Sequence, residues 1–439
     1  MSGPKTSEYT LTPEQRANLN AQNRCDSSIL ACIARIKVLQ NQVSVSLENV
    51  QIYDDCGNDE SVELTNNLKE KMLELESLKK ALSDRFDAMS GYQRPDVITI
   101  SDEELSRKKA ILEKLRAIRD DVTKLLKEVE KCGKQSQDLK AQISTDIQEN
   151  LGSSFDLSWD APASPAAPSV KDSIVSVLGD LLSNSALSLE LRVKIQNAIE
   201  KANNINNDDF LENFRAVTVK PIVDECQAYI RNMELYGAEF EELEAEYIVL
   251  CSQLHIAAKK FIISESGVAE LKAEIAKLQN ELLEDSEQEY IADAIDEVME
   301  EMGYDLIGSR EVTKKSGKRF RDELYTFSEG TAVNIRYDSQ GKIAMELGGI
   351  DSTDRLPSSS EASKLEDEMI AFCDKFTEFE KSLAAKGIMC KNRVSHLPPK
   401  AEYAQIINTS DYEMIAEVET IKAERRVVKN ANKQHLHNG

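Results

Sequence analysis

The chain has 439 residues and a formal net charge of −24, because 78 Asp and Glu residues outnumber 54 Lys and Arg residues. Such a surface repels nucleic acid and anionic membranes over most of its area. Charged residues make up 30% of the chain and aromatic residues only 5%, with 17 Gly and one Trp. This composition is typical of long helical proteins and disfavours a compact α/β enzyme.

The first 150 residues carry apolar side chains at helical spacing. Thr12 and Pro13 form a helix start, since Thr caps well and Pro suits the first helical position. Apolar stripes then run over 29–50, 64–89 and 111–132. We predict three long helices within 13–150, packed as an antiparallel bundle or a folded coiled coil, and assign 1–150 to one helical domain.

Residues 151–169 are rich in Pro, Ser and Ala, which predicts a linker. Trp159, the only tryptophan, lies in this linker near Phe155. Both residues are candidates for binding a partner, because apolar side chains in a spacer often form docking motifs. The alternative is that this short apolar stretch packs against the chain's own bundle.

Residues 170–218 are predicted to form short helices, and 219–285 a long coiled-coil helix. Between Ile222 and Leu282 apolar residues alternate at spacings of four and three, with Ser264 as the one polar interruption. Gly267 leaves two alternatives open, a hinge or the turn of an antiparallel helix pair. The stretch 222–282 also allows self-association into a homo-oligomer.

A small α+β domain is predicted over 286–390. A helix ending near Gly303 precedes four short alternating stretches that predict an antiparallel meander, and a second helix follows. Ser358 and Glu361 have the spacing of a capping box at the start of that helix. Both helices can bury one face of the sheet. Residues 391–439 are assigned to a C-terminal tail.

A basic loop stands out in this acidic chain. It contains Lys314, Lys315, Lys318, Arg319 and Arg321. A hairpin tip with this charge can bind phosphate or an acidic partner surface. Two alternatives remain open: contact with the chain's own acidic helices, or exposure to solvent. Few aromatic residues lie beside the loop, which argues against single-stranded nucleic acid.

No pattern in the sequence predicts a catalytic, cofactor-binding or metal-binding residue. The segment 286–390 lacks histidine, and no phosphate-loop, zinc-protease or nucleophile-elbow motif occurs in the chain. None of the eight cysteines forms a CxxC pair, so we interpret most of them as buried apolar residues. A rival enzyme hypothesis places the site in 286–390 and predicts a polar pocket with perturbed carboxylates.

The start of the chain has neither a signal pattern nor an apolar run near the length of a membrane span, which predicts a cytoplasmic protein. The opening MSGPKTSEYTLTPEQR resembles the start of uncharacterised bacterial coiled-coil accessory proteins. This resemblance implies an accessory component of a bacterial multigene, defence-type system, and it carries over no catalytic residue.

The sequence as a whole predicts a mainly α-helical, non-enzymatic scaffold or adaptor that binds protein partners without a cofactor. The helical rod sets distance and orientation, and the α+β domain offers a recognition surface. One alternative is a nucleic-acid-associated protein that uses the loop 314–321. Another is a structural rod that self-associates through 222–282.

Overall fold

The computed structural model describes most of the chain. The described residues are 3–50, 59–153, 169–182, 184, 187–313, 319–338 and 341–414, with side chains left out at 59–61, 141–153, 313 and 319. Most of the predicted linker 151–169 lies outside these ranges. The part of the predicted tail beyond residue 414 also lies outside these ranges.

Helices dominate the described residues. The α-helices are α1 (Pro13–Glu48), α2 (Asp59–Asp87), α3 (Asp102–Ser153), α4 (Val170–Leu182), α5 (Leu189–Asn204), α6 (Asp208–Phe214), α7 (Lys220–Gln253), α8 (Glu265–Glu301) and α9 (Ser359–Ala385). A π-helical turn, Arg215–Val219, joins α6 to α7.

The chain divides into two compact units. The α+β unit contains Met1–Arg24, Arg94–Arg107 and Asn280–Gly439, and the helical unit contains Cys25–Gln93 and Lys108–Gln279. These units cut across the predicted segments 1–150 and 219–285. The physical reason is that single helices extend through the predicted boundaries, while the sheet gathers strands from both ends of the chain.

One antiparallel sheet forms the centre of the α+β unit. Its strands are β1 (Lys5–Leu11), β2 (Leu306–Thr313), β3 (Arg319–Ser328), β4 (Thr331–Asp338), β5 (Lys342–Asp351), β6 (Ile388–His396), β7 (Ile406–Asn408) and β8 (Glu413–Met414). The strand order is β6-β1-β5-β4-β3-β2-β8, and β7 pairs parallel to β5. Gly330, at φ +79°, occupies the short turn between β3 and β4, where a side chain would be strained.

The sheet is larger than the predicted four strands. Strand β1 was missed because its inward positions include both polar and apolar residues: Lys5, Ser7, Tyr9 and Leu11 are all buried. This mixture hides the period-two apolar signal of a strand. β6, β7 and β8 extend the same sheet to Met414, beyond the predicted end of the domain at residue 390.

The second half of α8 and helix α9 cover one face of the sheet. The core there includes Ile295 and Val298 of α8 together with Phe372 and Phe379 of α9. The predicted capping box begins α9: Ser358 Oγ accepts from the Glu361 backbone N–H, and the Glu361 carboxylate accepts from the Ser358 N–H. On the other face, a smaller cluster joins strand residues to Ile407 and Tyr412.

The helical unit has a core built from the predicted apolar stripes. Ile36 of α1, Leu75 of α2 and Leu115 of α3 belong to one buried cluster. The stripe of α2 is only partly buried, since Leu64 and Leu78 are 46% and 45% exposed. A separate cluster packs α4, α5, α6 and the start of α7.

The predicted continuous helix over 219–285 is interrupted. Helix α7 ends at Gln253, residues 254–264 are not helical, and α8 begins after Ser264, whose Oγ accepts from the Gly267 N–H. The apolar spacing misled the prediction because Phe261 is partly buried by a fold of the chain back onto α7, where its ring meets the Tyr247 ring edge-on at 5.2 Å. The Lys259 backbone N–H also donates to Tyr247 Oη.

The two helices flanking this break run parallel rather than as an antiparallel hairpin. Lys272 Nζ lies 2.7 Å from Glu239 Oε1. Gln279 Nε2 donates to Glu246 Oε1 at 2.8 Å, with the same sequence separation of 33 residues. In an antiparallel pair, the sequence separation between contacting residues would change along the helices. Residues 254–264 therefore run back alongside α7, and α8 then starts in the same direction as α7.

Candidate functional site

A cleft of about 1160 Å³ lies in the α+β unit, between the middle of α8 and one end of the sheet. The ends of β2, β3, β4 and β5 meet there because neighbouring strands are antiparallel. The described lining residues are Glu8, Tyr9, Thr10, Arg16, Glu284, Glu287, Gln288, Glu289, Ile291, Ala292, Glu311, Val312, Phe320, Arg321, Tyr337, Asp338, Gly341, Ile343 and Lys391.

Among these described lining residues, six are acidic and three are basic. Glu287 anchors one wall: its carboxylate accepts hydrogen bonds from the Leu11 N–H, from Thr10 Oγ1 and from Arg16 Nε. Burial acts against ionisation of Glu287, but these hydrogen bonds outweigh it and hold the pKa below its usual value. Glu287 therefore fixes β1 and the first turn of α1 to α8.

The surface of α8 beside the cleft is electronegative. The pKa of Asp285 is raised, by partial burial first and then by repulsion from Glu281, Glu284 and Glu289. Several carboxylates on two turns of one helix create this field.

A buried polar cluster lies behind one wall of the cleft. It contains Asp296 of α8, Arg321, Glu323 and Tyr325 of β3, and Tyr337 of β4. Tyr325 Oη donates to Asp296 Oδ1 at 2.5 Å, and Tyr337 Oη donates to the same oxygen at 3.0 Å. Arg321 and Tyr337, which both contact Asp296, also line the cleft, whereas Asp296 is not among the described lining residues.

Arg321 supplies the positive charge of the buried cluster. Its Nε lies 2.9 Å from Glu323 Oε1, and its Nη2 lies 3.5 Å from Asp296 Oδ2. Hydrogen-bond geometry is not met at either nitrogen, so these contacts are charge pairing. The guanidinium also lies 4.8 Å from the centre of the Tyr337 ring, a cation–π distance.

Asp296 is the most perturbed carboxyl of this cluster. Burial raises its pKa to about 8, and the nearby Glu323 carboxylate adds to the shift through repulsion and a shared hydrogen bond. Arg321 and the Tyr325 hydroxyl act in the opposite direction but do not cancel the effect. Asp296 therefore binds a proton at a higher pH than an exposed Asp does.

This shift makes the stability of the α+β unit depend on pH. An unfolded Asp titrates near 3.9, so between about pH 4 and 8 the folded state binds more protons than the unfolded state. The contribution of Asp296 to the free energy of unfolding is present at low pH and is lost as the pH rises through about 8. The free energy of unfolding then falls with a slope approaching 1.4 kcal/mol per pH unit. We expect Asp296→Asn to flatten this slope.

The measurement is urea unfolding of the full chain at several pH values between 5 and 8, followed by circular dichroism. Asp374→Asn is the matched control, because Asp374 is an exposed residue of α9 with no contact to the cluster. Equal slopes in the wild type and in Asp296→Asn would show that Asp296 is ionised throughout this range.

Most of the partner-binding residues predicted from sequence lie outside the described residues. This holds for Phe155, Trp159, Lys314, Lys315 and Lys318. Arg319 begins β3, and its side chain is not described. Arg321 follows on the same strand and pairs with Glu323 and Asp296. For Arg321, this is the alternative of contact within the chain that the sequence left open.

Apart from Arg321, the residues that form the cleft and its buried cluster were not predicted as site residues from sequence. They come from positions 8 to 391, which no local spacing connects. One signal was present: Arg321, Glu323 and Tyr325 alternate along β3 and therefore share one face of the strand. Polar residues on the helix-covered face of a sheet indicate a buried network.

Neither a metal-binding group nor a membrane-spanning helix is found among the described residues. No group of three or more His, Cys, Asp or Glu side chains there could hold a metal ion. No helix among them has the length and apolar character needed to cross a membrane. Comparison with known proteins gives no match to a family model, to a curated protein or to a solved structure.

Proposed function

We propose that this protein is a non-enzymatic cytoplasmic scaffold or adaptor whose α+β unit binds a Lys- or Arg-bearing segment of a protein partner. The observation that carries this proposal is the acidic cleft between α8 and the sheet. Among its described lining residues, six carboxylates outnumber three cations. A cleft of about 1160 Å³ is large enough for several side chains of an extended peptide.

The helical unit supports a role in spacing. Helix α3 contains 52 residues, which corresponds to about 78 Å, and α1 contains 36 residues. An average helix has about 11–12 residues, so these lengths exceed what a compact core needs. Coiled-coil pairing and membership of a bacterial multigene, defence-type system belong to the same proposal, and self-association through 222–282 stays an alternative to it.

The proposal is tested with the double variant Glu8→Gln and Glu284→Gln. Glu8 lies on β1 and Glu284 on the exposed surface of α8, and both line the cleft. Removing two charges from the cleft should weaken a basic partner at least tenfold, which corresponds to about 1.4 kcal/mol. The measurement is the amount of partner that co-purifies with the tagged chain from its native host at moderate salt.

Glu378→Gln is the matched control, because Glu378 is an exposed acid of α9 that does not line the cleft. The control should retain the partner at wild-type stoichiometry. Equal loss in both variants would indicate a general charge effect. Full retention in the double variant would contradict the cleft as the binding surface.

The pKa of Asp296 favours a second candidate, acid–base catalysis at the cleft. A polar cleft and a perturbed carboxyl are the features that the enzyme hypothesis predicts. A catalytic acid must contact its substrate, however, and Asp296 is not among the described residues that line the cleft. We therefore prefer the scaffold.

Asp296→Asn separates the two candidates, since it leaves the charges of the cleft lining unchanged. A scaffold should keep its partner and its function in the host with this variant. An enzyme should keep its partner but lose its function. The comparison requires a variant that is folded at the assay pH, which circular dichroism establishes.

A further inference from the structure

A buried lysine meets a cysteine in the α+β unit, away from the cleft. Lys5 begins β1 and is only 3% exposed. Its Nζ lies 3.7 Å from Cys373 Sγ on α9. The same nitrogen lies 4.1 Å from the centre of the Phe376 ring and 5.1 Å from that of Phe372. Two aromatic faces and one sulfur therefore surround the amine.

This environment is unusual for a lysine. Buried lysines normally pair with a carboxylate, but within the described part of the chain the hydrogen-bond acceptor of Lys5 is the Cys373 sulfur. Burial lowers the pKa of Lys5, and the positive charge of Arg393 acts in the same direction, although Cys373 and Glu380 oppose both. A neutral amine is a nucleophile, whereas an ammonium ion is not.

Cys373 is accessible enough to be oxidised. Among the described cysteines, Cys32, Cys132, Cys226 and Cys251 are buried, whereas Cys373 is partly exposed. Peroxide converts an accessible thiol to a sulfenic acid, whose sulfur is electrophilic. A sulfenic acid condenses with a backbone nitrogen to form a sulfenamide, and a neutral amine nitrogen can attack the same electrophilic sulfur.

We propose that Lys5 and Cys373 form a reversible covalent cross-link, a sulfenamide between Nζ and Sγ, when the protein meets hydrogen peroxide. In the first step the Cys373 thiol and peroxide give the sulfenic acid and one water. In the second step the Lys5 amine attacks the sulfur, the S–O bond breaks, and the hydroxyl leaves as a second water with one amine proton. Sulfur is oxidised by two electrons, and the peroxide is reduced.

The cross-link joins two elements that are far apart in the sequence. Lys5 and Cys373 are 368 residues apart, and the bond would fasten β1 to α9. β1 also supplies Glu8, Tyr9 and Thr10 to the cleft. Oxidation would thereby fix the strand that forms one wall of the cleft, and a thiol reductant would release it by thiol exchange at the sulfur.

The experiment is peptide mapping by mass spectrometry after treating the full chain with hydrogen peroxide and blocking the remaining thiols. The expected product links the peptides of Lys5 and Cys373, with a mass two hydrogen atoms below their sum. It should disappear after dithiothreitol treatment. Lys5→Met and Cys373→Ser should not form it, whereas Cys390→Ser should, since Cys390 is the partly exposed cysteine of β6.

The wild-type result alone decides the proposal, even if Lys5→Met fails to fold. Recovery of Cys373 as a dimedone-trapped sulfenic acid or as a sulfinic acid, with Lys5 unmodified, would overturn it. A linked pair that retains one oxygen atom would also overturn the sulfenamide, because it requires a different oxidation.

Discussion

Replacing Arg321 with Met is expected to lower the unfolding free energy of the α+β unit by about 3 kcal/mol at pH 7. Glu323 is 6% exposed and Asp296 18% exposed at the side chain, and Arg321 is the cation that pairs with both. Without it, two neighbouring carboxyl groups remain buried with no opposing charge. Breaking a buried ion pair from one side typically costs 3–5 kcal/mol, and the partial exposure of Arg321 places this case at the lower end.

The loss is measured by urea unfolding of the full chain, followed by circular dichroism. Arg393→Met is the matched control, because Arg393 pairs with Glu380 at 2.8 Å but is 56% exposed. Exposed pairs contribute between zero and about 1 kcal/mol. An Arg321→Met variant as stable as the control would show that solvent, rather than Arg321, compensates the buried carboxyl groups.

Leu75→Ala is expected to destabilise the helical unit by about 3 kcal/mol. Leu75 lies on α2, is 2% exposed, and belongs to the cluster shared by α1, α2 and α3. Truncation removes buried apolar surface and leaves a cavity, which costs 2–5 kcal/mol for Leu→Ala in most cores. The expected result is a lower urea midpoint with an unchanged slope.

Leu73→Ala provides the control on the same helix, because Leu73 is 69% exposed. The same change there should alter stability by less than about 0.5 kcal/mol. Similar losses in both variants would mean that α2 is stabilised by its helix propensity, since only packing distinguishes the two positions.

The sequence was most informative where a pattern is local. The 4–3 spacing in α3 identified residues that are buried, including Leu115, Val122 and Val129. The capping box at Ser358 and Glu361 was also recognised correctly, because both partners lie within four residues. Each of these patterns is set by the geometry of one helix, independently of the rest of the fold.

Pairing between strands that are far apart in the sequence could not be predicted in this way. β1 joins the sheet between β5 and β6, more than 330 residues away along the chain. Residues 254–264 continue the apolar spacing of α7 but are not helical. The chain folds back there, and Phe261 packs against Tyr247 instead of continuing the helix face. Spacing shows which residues avoid water, and it does not show which surface covers them.

The cleft illustrates the same limit at the level of function. Its acidic residues come from β1, α8, β2 and β4, so the charge appears only when these elements meet. The basic loop was predicted as a binding surface because its charges lie close together in the sequence.

The most direct test of the scaffold proposal is zero-length carbodiimide cross-linking of the tagged chain to its co-purified partner, with the joined residues located by mass spectrometry. Carbodiimide links a carboxylate only to an amine in direct contact with it. The account predicts bonds from partner lysines to Glu8 and Glu284 of the cleft. Bonds confined to carboxylates of the helical unit, with Glu8 and Glu284 unmodified by the partner, would contradict it.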